Sequence, residues 1–100
     1  MKESDFQSRL KKKIKKRFPG CIILKNDPTC VQGIPDLLIL YKDRWAALEC
    51  KVKEDAAKSP RPNQPYYVNK MNEMSYASFV YPENEEEILN EVQRSFESRR

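Results

Sequence analysis

Residues 34–52 read IPDLLILYKDRWAALECKV, and how this stretch folds decides the architecture of the chain. Residues 37–41 and 45–52 are two runs rich in strand formers, separated by Lys42-Asp43-Arg44, which is the composition of a tight antiparallel hairpin. Successive side chains point to opposite faces of a strand. One parity carries Leu37, Ile39, Leu48, Cys50 and Val52, and the other carries Leu38, Leu40, Trp45 and Ala47, so both faces of the hairpin are apolar. Such a pair belongs in a sheet covered on both sides, which predicts a layered α/β domain.

Toward the N-terminus, Phe6, Leu10, Ile14 and Phe18 recur every fourth residue among Arg and Lys, the pattern of an amphipathic helix. Ser4 and Gln7 have the spacing of a capping box at its start, Pro19-Gly20 ends it, and cations cluster in its last turns, where the helix dipole favours them. A short strand is predicted over 21–25 and a loop over 26–33, delivering the chain to Ile34-Pro35-Asp36. Beyond the hairpin, 53–62 is polar with two prolines and reads as a loop, and Asn63 is placed to cap a helix carrying Tyr67, Val68, Met71 and Met74. A strand over 78–81 follows. Asn84 and Glu87 repeat the capping-box spacing before a closing helix with Ile88, Leu89, Val92 and Phe96 on one face. The order is αβββαβα, without repeats, and 100 residues at 39% hydrophobic supply one core, so residues 1–100 form a single domain.

Composition narrows the chemistry. The chain has no histidine, which excludes His-based triads, HNH-type nucleases and the usual His-containing zinc sites. Any catalysis falls to carboxylates and lysine. Cys21, Cys30 and Cys50 are an odd set without a C-x-x-C pair, which points to a reducing cytosol rather than a disulfide scaffold. No apolar run approaches the roughly 20 residues of a membrane span, and the charged start lacks a signal-peptide core, so a soluble intracellular protein is expected. The net charge of +4 is unevenly spread: the first 20 residues hold eight cations against Glu3 and Asp5, a local +6 that leaves −2 for the rest. Such an asymmetry predicts a polyanionic partner.

Asp36, Glu49 and Lys51 interrupt the most hydrophobic part of the sequence, where unpaired charge would cost on the order of several kcal/mol. Glu49 and Lys51 are two apart and share a strand face. If the hairpin closes on a two-residue turn at Asp43-Arg44, Asp36 lies opposite Lys51 and diagonal to Glu49 on that face, whereas an odd turn or a bulge near Pro35 would separate them. Two carboxylates on adjacent strands make a hard oxygen site suited to Mg2+, and a lysine beside them can hold an attacking water and stabilise developing negative charge. These are the parts for metal-assisted phosphodiester hydrolysis. A structural Glu–Lys–Asp cluster is the alternative that spacing leaves open.

Ile34-Pro35-Asp36, twelve intervening residues, and Glu49-Cys50-Lys51 resemble the signature of the PD-(D/E)XK nuclease superfamily. Gly33 before Ile-Pro-Asp, the following Leu-Leu-Ile, Leu48 before Glu-Cys-Lys, and Gln64 in the next helix resemble more particularly the virus-type replication-repair nuclease (VRR-NUC) family, especially its short stand-alone phage-like members. The likeness spans the first helix to Pro82. It implies a restriction-endonuclease-like core with a mixed central sheet flanked by helices. It further implies Asp36 and Glu49 as metal ligands, with the Cys50 backbone carbonyl, and Lys51 as the catalytic lysine. Gln64 would contact the scissile phosphate or the metal's water. An acidic residue from the first helix would complete the site, with Glu3 preferred to Asp5 because it shares a helical face with Gln7.

The function implied is a Mg2+-dependent endodeoxyribonuclease, with Mn2+ as a substitute, cutting structured or branched DNA in the manner of a Holliday-junction resolvase. A homodimer is expected, with neither a membrane nor a small-molecule cofactor involved, in the bacterial host cytoplasm if the chain is of phage origin. The cations Lys11, Lys12, Lys15 and Lys16 of the first helix suit salt-dependent phosphate contacts, and Lys25, Lys53, Lys58 and Arg61 lie nearer the cut. Six near-consecutive cations, Lys13 and Arg17 included, cannot all face one way. Tyr66, Tyr67 and Tyr76 read as core or rim residues. Two alternatives stand beside the enzyme: a non-catalytic nucleic-acid-binding module that keeps the fold, or a nuclease subunit of a larger restriction or repair assembly.

Overall fold

The computed structural model describes residues 1–54, 61 and 63–98. Its elements are α1 (Glu3–Arg17), β1 (Ile22–Lys25), β2 (Leu37–Tyr41), β3 (Arg44–Cys50), α2 (Gln64–Met74), β4 (Tyr76–Val80) and α3 (Glu85–Glu97), in the predicted order. The four strands form one mixed sheet in the spatial order β1-β2-β3-β4. The first three are antiparallel neighbours, while β4 runs parallel to β3 and therefore needs a crossover, which α2 provides.

The two-parity pattern of the hairpin becomes two cores. Phe6, Leu10 and Ile14 of α1 and Ile88, Leu89 and Val92 of α3 pack on one face of the sheet against Leu37, Ile39, Leu48 and Cys50. On the other face Val68 of α2 closes over Ala47 and Ala77, with Leu38, Trp45 and Met71 around them. Cys50 therefore points into the first core, where burial raises its thiol pKa. Phe18, Tyr41 and Phe96 seal one end of that core as a ring cluster with centroids 5.1–5.6 Å apart.

The hairpin register differs from the one expected. Tyr41 pairs with Arg44 and Leu37 with Leu48, so the turn is Lys42-Asp43 rather than Asp43-Arg44. Lys42 takes a positive φ of 57° there. A shift of one position in the turn moves the pairing by two, which keeps every side chain on its predicted face and changes only who stands opposite whom. Strand β3 also ends at Cys50, short of Val52.

Neither capping box forms. The N-cap of α1 is Lys2, Ser4 lies inside the helix, and Gln7 is buried on the face turned to the sheet. The start of the helix is served instead by Glu3 and Asp5 against the dipole. Asn84 caps α3 only in position: its Oδ1 accepts the backbone N–H of Tyr81 at 2.8 Å, closing the preceding turn, while Glu87 stays exposed. Asn63 precedes α2 at φ 73° without a side-chain cap bond, and Met74 is exposed rather than on the packed face.

Helices α1 and α3 are also strapped by charge. Glu85, 4% exposed, accepts from Lys13 at 3.1 Å and from Arg9 at 3.4 Å. Glu86 pairs with Lys13 at 3.3 Å and with Arg17 at 3.2 Å, and Arg17 also donates to Asn90 at 2.8 Å. Arg9, Lys13 and Arg17 are spaced by four and so form one stripe down α1. Among the described residues no helix is long and apolar enough to cross a membrane.

Candidate active site

The loop before β2 is pinned at its start and at its end. Thr29 donates its backbone N–H and its hydroxyl to Asp27 Oδ1, at 2.9 and 2.7 Å, a local turn that holds that carboxyl below its ordinary pKa. Asn26 then reaches back across β1 and β2. Its backbone N–H donates to Asp36 O and its side-chain amide to Pro35 O, both at 2.8 Å. The backbone of the Pro-Asp pair is thus fixed at the mouth of β2 before the Asp36 carboxylate makes any contact.

Gly33 explains why a glycine stands just upstream. Its φ is +90°, and a Cβ there would lie 2.6 Å from Asn63 Cβ and 2.8 Å from the Asn63 carbonyl carbon. The loop and the entry to α2 touch backbone to backbone at this point, which sets where Gln64 begins its helix.

The last pair of the hairpin is Leu37 with Leu48, and Asp36 and Glu49 are the next residue on each strand, so Asp36 stands level with Glu49 rather than opposite Lys51 as expected. Asp36 Oδ2 accepts the Cys50 N–H at 2.9 Å. A strand residue's N–H and C=O share one edge, so the Cys50 carbonyl is turned toward Asp36 as well. Glu49 is 3% exposed. Its Oε2 accepts from Gln64 Nε2 at 3.1 Å and lies 3.6 Å from Lys51 Nζ. Gln64 Oε1 in turn accepts from Lys51 Nζ and from the Arg61 backbone N–H, each at 3.0 Å. Gln64 therefore ties the glutamate to the lysine and to the chain entering α2, with one amide N–H unpartnered among the described residues.

Electrostatics follow from this crowding. Burial pushes the Glu49 carboxyl up to about 8, Asp36 adds like-charge repulsion, and Lys51 opposes both. Glu3 contributes further repulsion from the start of α1. Near neutral pH the site favours a proton on Glu49, or any other positive charge between the two carboxylates. Two hard oxygen ligands on adjacent strands, open to solvent on one side, fit an ion such as Mg2+, which takes one or two carboxylates and keeps several waters. Among the described residues no three acidic or cysteine side chains close on one point, so the donor set is a partial shell rather than a cage.

Asp36, Glu49, Lys51, Gln64, Glu3, Lys25 and Arg61 line a single open pocket of about 370 Å³. Asp5 is exposed and is not among the lining residues. Lys12, Lys15, Lys16 and Lys53 are exposed outside the pocket, and half-buried Lys11 lies close enough for its charge to act on Cys50. Lys58 lies outside the described residues. Tyr66 is exposed on α2 with its ring edge-to-face on Tyr67 at 5.0 Å, and half-buried Tyr76 donates its hydroxyl to Glu91 at 2.7 Å. Sequence reasoning missed Asn26 and Gln7. The first signals itself only as an Asn at a strand end, and the second sits where a helix cap was expected.

Comparison with known proteins finds no matching family model, no matching curated protein and no matching solved structure, so the site speaks for this chain through its own residues.

Proposed function

We propose that this chain is a Mg2+-dependent endodeoxyribonuclease with a PD-(D/E)XK-like core of the VRR-NUC kind, acting on branched DNA as a homodimer. The observation that carries the proposal is the convergence of Asp36, Glu49, Lys51 and Gln64 at the open end of β3, inside one cation-rimmed pocket. A structural salt bridge would satisfy Glu49 with Lys51 and close over. Here Asp36 stands beside them as a second carboxylate lining an open pocket, which a purely structural cluster does not require.

Asp36, Glu49 and the Cys50 carbonyl would hold the ion, which when bound supplies Lewis-acid activation of a water and charge neutralisation at the phosphate. The protein's own part is positional. Gln64 holds Lys51 Nζ at 3.0 Å and Glu49 at 3.1 Å, so the ammonium cannot collapse fully onto the carboxylate and remains able to donate to a phosphate oxygen. Lys25 and Arg61 on the pocket wall draw in the adjoining backbone phosphates. Hydrolysis forms a P–O bond from water and breaks the P–O3′ bond, leaving a 5′-phosphate and a 3′-hydroxyl. Cleavage of four-way junction, flap, nicked and linear duplex DNA with and without Mg2+ tests the proposal. Metal-dependent cutting of branched DNA that is lost in Asp36→Ala while binding persists is the expected result, and undiminished cutting by Asp36→Ala refutes the site.

A further inference from the structure

Four polar or charged side chains are buried among the described residues: Gln7, Glu49, Gln64 and Glu85. Glu49 and Gln64 bond to each other, and Glu85 is held by Arg9 and Lys13. Gln7 is 4% exposed and has no hydrogen-bond partner among the described residues. Packing the stem of a glutamine while its amide bonds to no other residue gains the fold no internal hydrogen bond, which leaves the amide available to a ligand. The polar atoms of Gln7 are not sealed, because among the described residues the one fully enclosed polar side-chain atom without a partner is Glu85 Oε1. Gln7 lines the same pocket as Asp36, Glu49 and Lys51, so its amide opens onto that space.

We propose that Gln7 is a substrate-binding residue whose amide N–H group donates to a non-bridging oxygen of the bound phosphodiester. The inference rests on the nuclease reading above for the nature of the ligand. Of the other amides lining the pocket, Gln64 already spends its oxygen on Lys51 and Arg61 and one N–H on Glu49, Asn26 donates to the Pro35 carbonyl, and Gln32 is exposed. Gln7 has both N–H bonds unspent, and a phosphodiester oxygen accepts without donating. Glu3 and Lys11 lie one turn to either side of Gln7 on the same face of α1. A neutral donor between them can approach the phosphate without adding to the charge crowding at Glu49. Because an amide displaces no counterion, its contribution to binding is independent of salt, unlike that of a lysine.

The test is equilibrium binding of a fluorescent four-way DNA junction to the full chain in metal-free buffer across a KCl series, for wild type, Gln7→Met and Gln7→Glu, beside Mg2+-dependent cleavage and thermal unfolding. Gln7→Met keeps the length of the side chain and removes the unpaired amide. Its Kd is expected to rise about tenfold at every salt concentration with an unchanged salt slope, while its Tm holds or rises. Gln7→Glu places a carboxylate against the phosphate and weakens binding further. Binding by Gln7→Met within twofold of wild type overturns the proposal, as does a fall in its Tm, which would make Gln7 a structural residue. Cleavage by the wild type separates this outcome from the nuclease reading. A wild type that cuts while Gln7→Met binds normally removes Gln7 alone. A wild type that binds but never cuts, with binding still lost in Gln7→Met, removes the nuclease and leaves the phosphate contact.

Discussion

Replacing Gly33 by alanine perturbs the site through backbone alone, and the size of the effect can be worked out. At φ +90° a side chain costs about 1–2 kcal/mol relative to glycine. The new Cβ would stand 2.6 Å from Asn63 Cβ, whereas carbon atoms rest about 3.5–4.0 Å apart, so the Asn63 segment must retreat by roughly 1 Å. Overpacking of that kind costs about a further 1–3 kcal/mol. Asn63 is bonded covalently to Gln64, whose contacts to Lys51 and Glu49 are 3.0 and 3.1 Å long. A retreat of that size takes both beyond hydrogen-bond range. Gly33→Ala should therefore lower stability by about 3 kcal/mol, or about 15 °C in Tm for a domain of this size, and depress cleavage more than the stability loss explains. Gly20→Ala is the control: φ is +88°, but nothing lies within 4 Å, so only the conformational cost of about 1–2 kcal/mol remains and cleavage is untouched. Thermal melts and cleavage rates well below Tm give both readouts. Equal Tm losses in the two variants would refute the claim that the loop buttresses the entry to α2.

Three further predictions concern charge. Glu49 is raised to about 8 in the fold against an ordinary carboxylate value near 4.5, so its contribution to stability is fully present at low pH and is lost as pH rises through about 8. Metal-free protein should lose stability over that interval, Glu49→Gln should flatten the loss, and Mg2+ should raise Tm more at pH 8.5 than at pH 5.5, because a protonated carboxylate does not bind the ion. Gln64→Leu removes the bridge between Glu49 and Lys51 and should lower kcat about a hundredfold with a smaller effect on DNA binding, measured by single-turnover cleavage and anisotropy. Glu85→Gln weakens the strap between α1 and α3; since Arg9 and Lys13 are themselves two-fifths exposed, the loss is about 1–2 kcal/mol in a denaturant melt, with cleavage unchanged well below Tm.

The hairpin shows what a sequence of this kind makes legible. Its two apolar parities announced a covered sheet, and they became the cores on either side of it because burial depends on parity and parity survives a two-residue slip. The turn itself is not legible: neither Lys42-Asp43 nor Asp43-Arg44 contains the Gly or Asn that would mark a tight turn, so the sequence does not reveal which residue stands opposite Asp36. The capping boxes misled for a related reason. Ser4 and Gln7 have the right spacing, yet the apolar stripe of α1 turns Gln7 toward the sheet, and tertiary packing outweighs a local bond of about 1 kcal/mol.

The charge of the first helix reads differently once α3 is seen beside it. Arg9, Lys13 and Arg17 are spent on Glu85, Glu86 and Asn90, so the local excess is partly a fastening between helices. The cations left outside that strap, Lys12, Lys15 and Lys16 among them, are exposed on the remaining surface of α1. Lys25 and Arg61, further along the chain, line the pocket beside Lys51.

The most direct measurement is Mg2+-dependent cleavage of a four-way DNA junction by wild type and Asp36→Ala at equal, saturating occupancy. Asp36 is half-buried and accepts one backbone N–H, so its loss should leave the fold and DNA binding in place while cutting falls by at least about a thousandfold. Cutting by Asp36→Ala within a few-fold of wild type would contradict the assignment of this pocket as the place where the phosphodiester is hydrolysed.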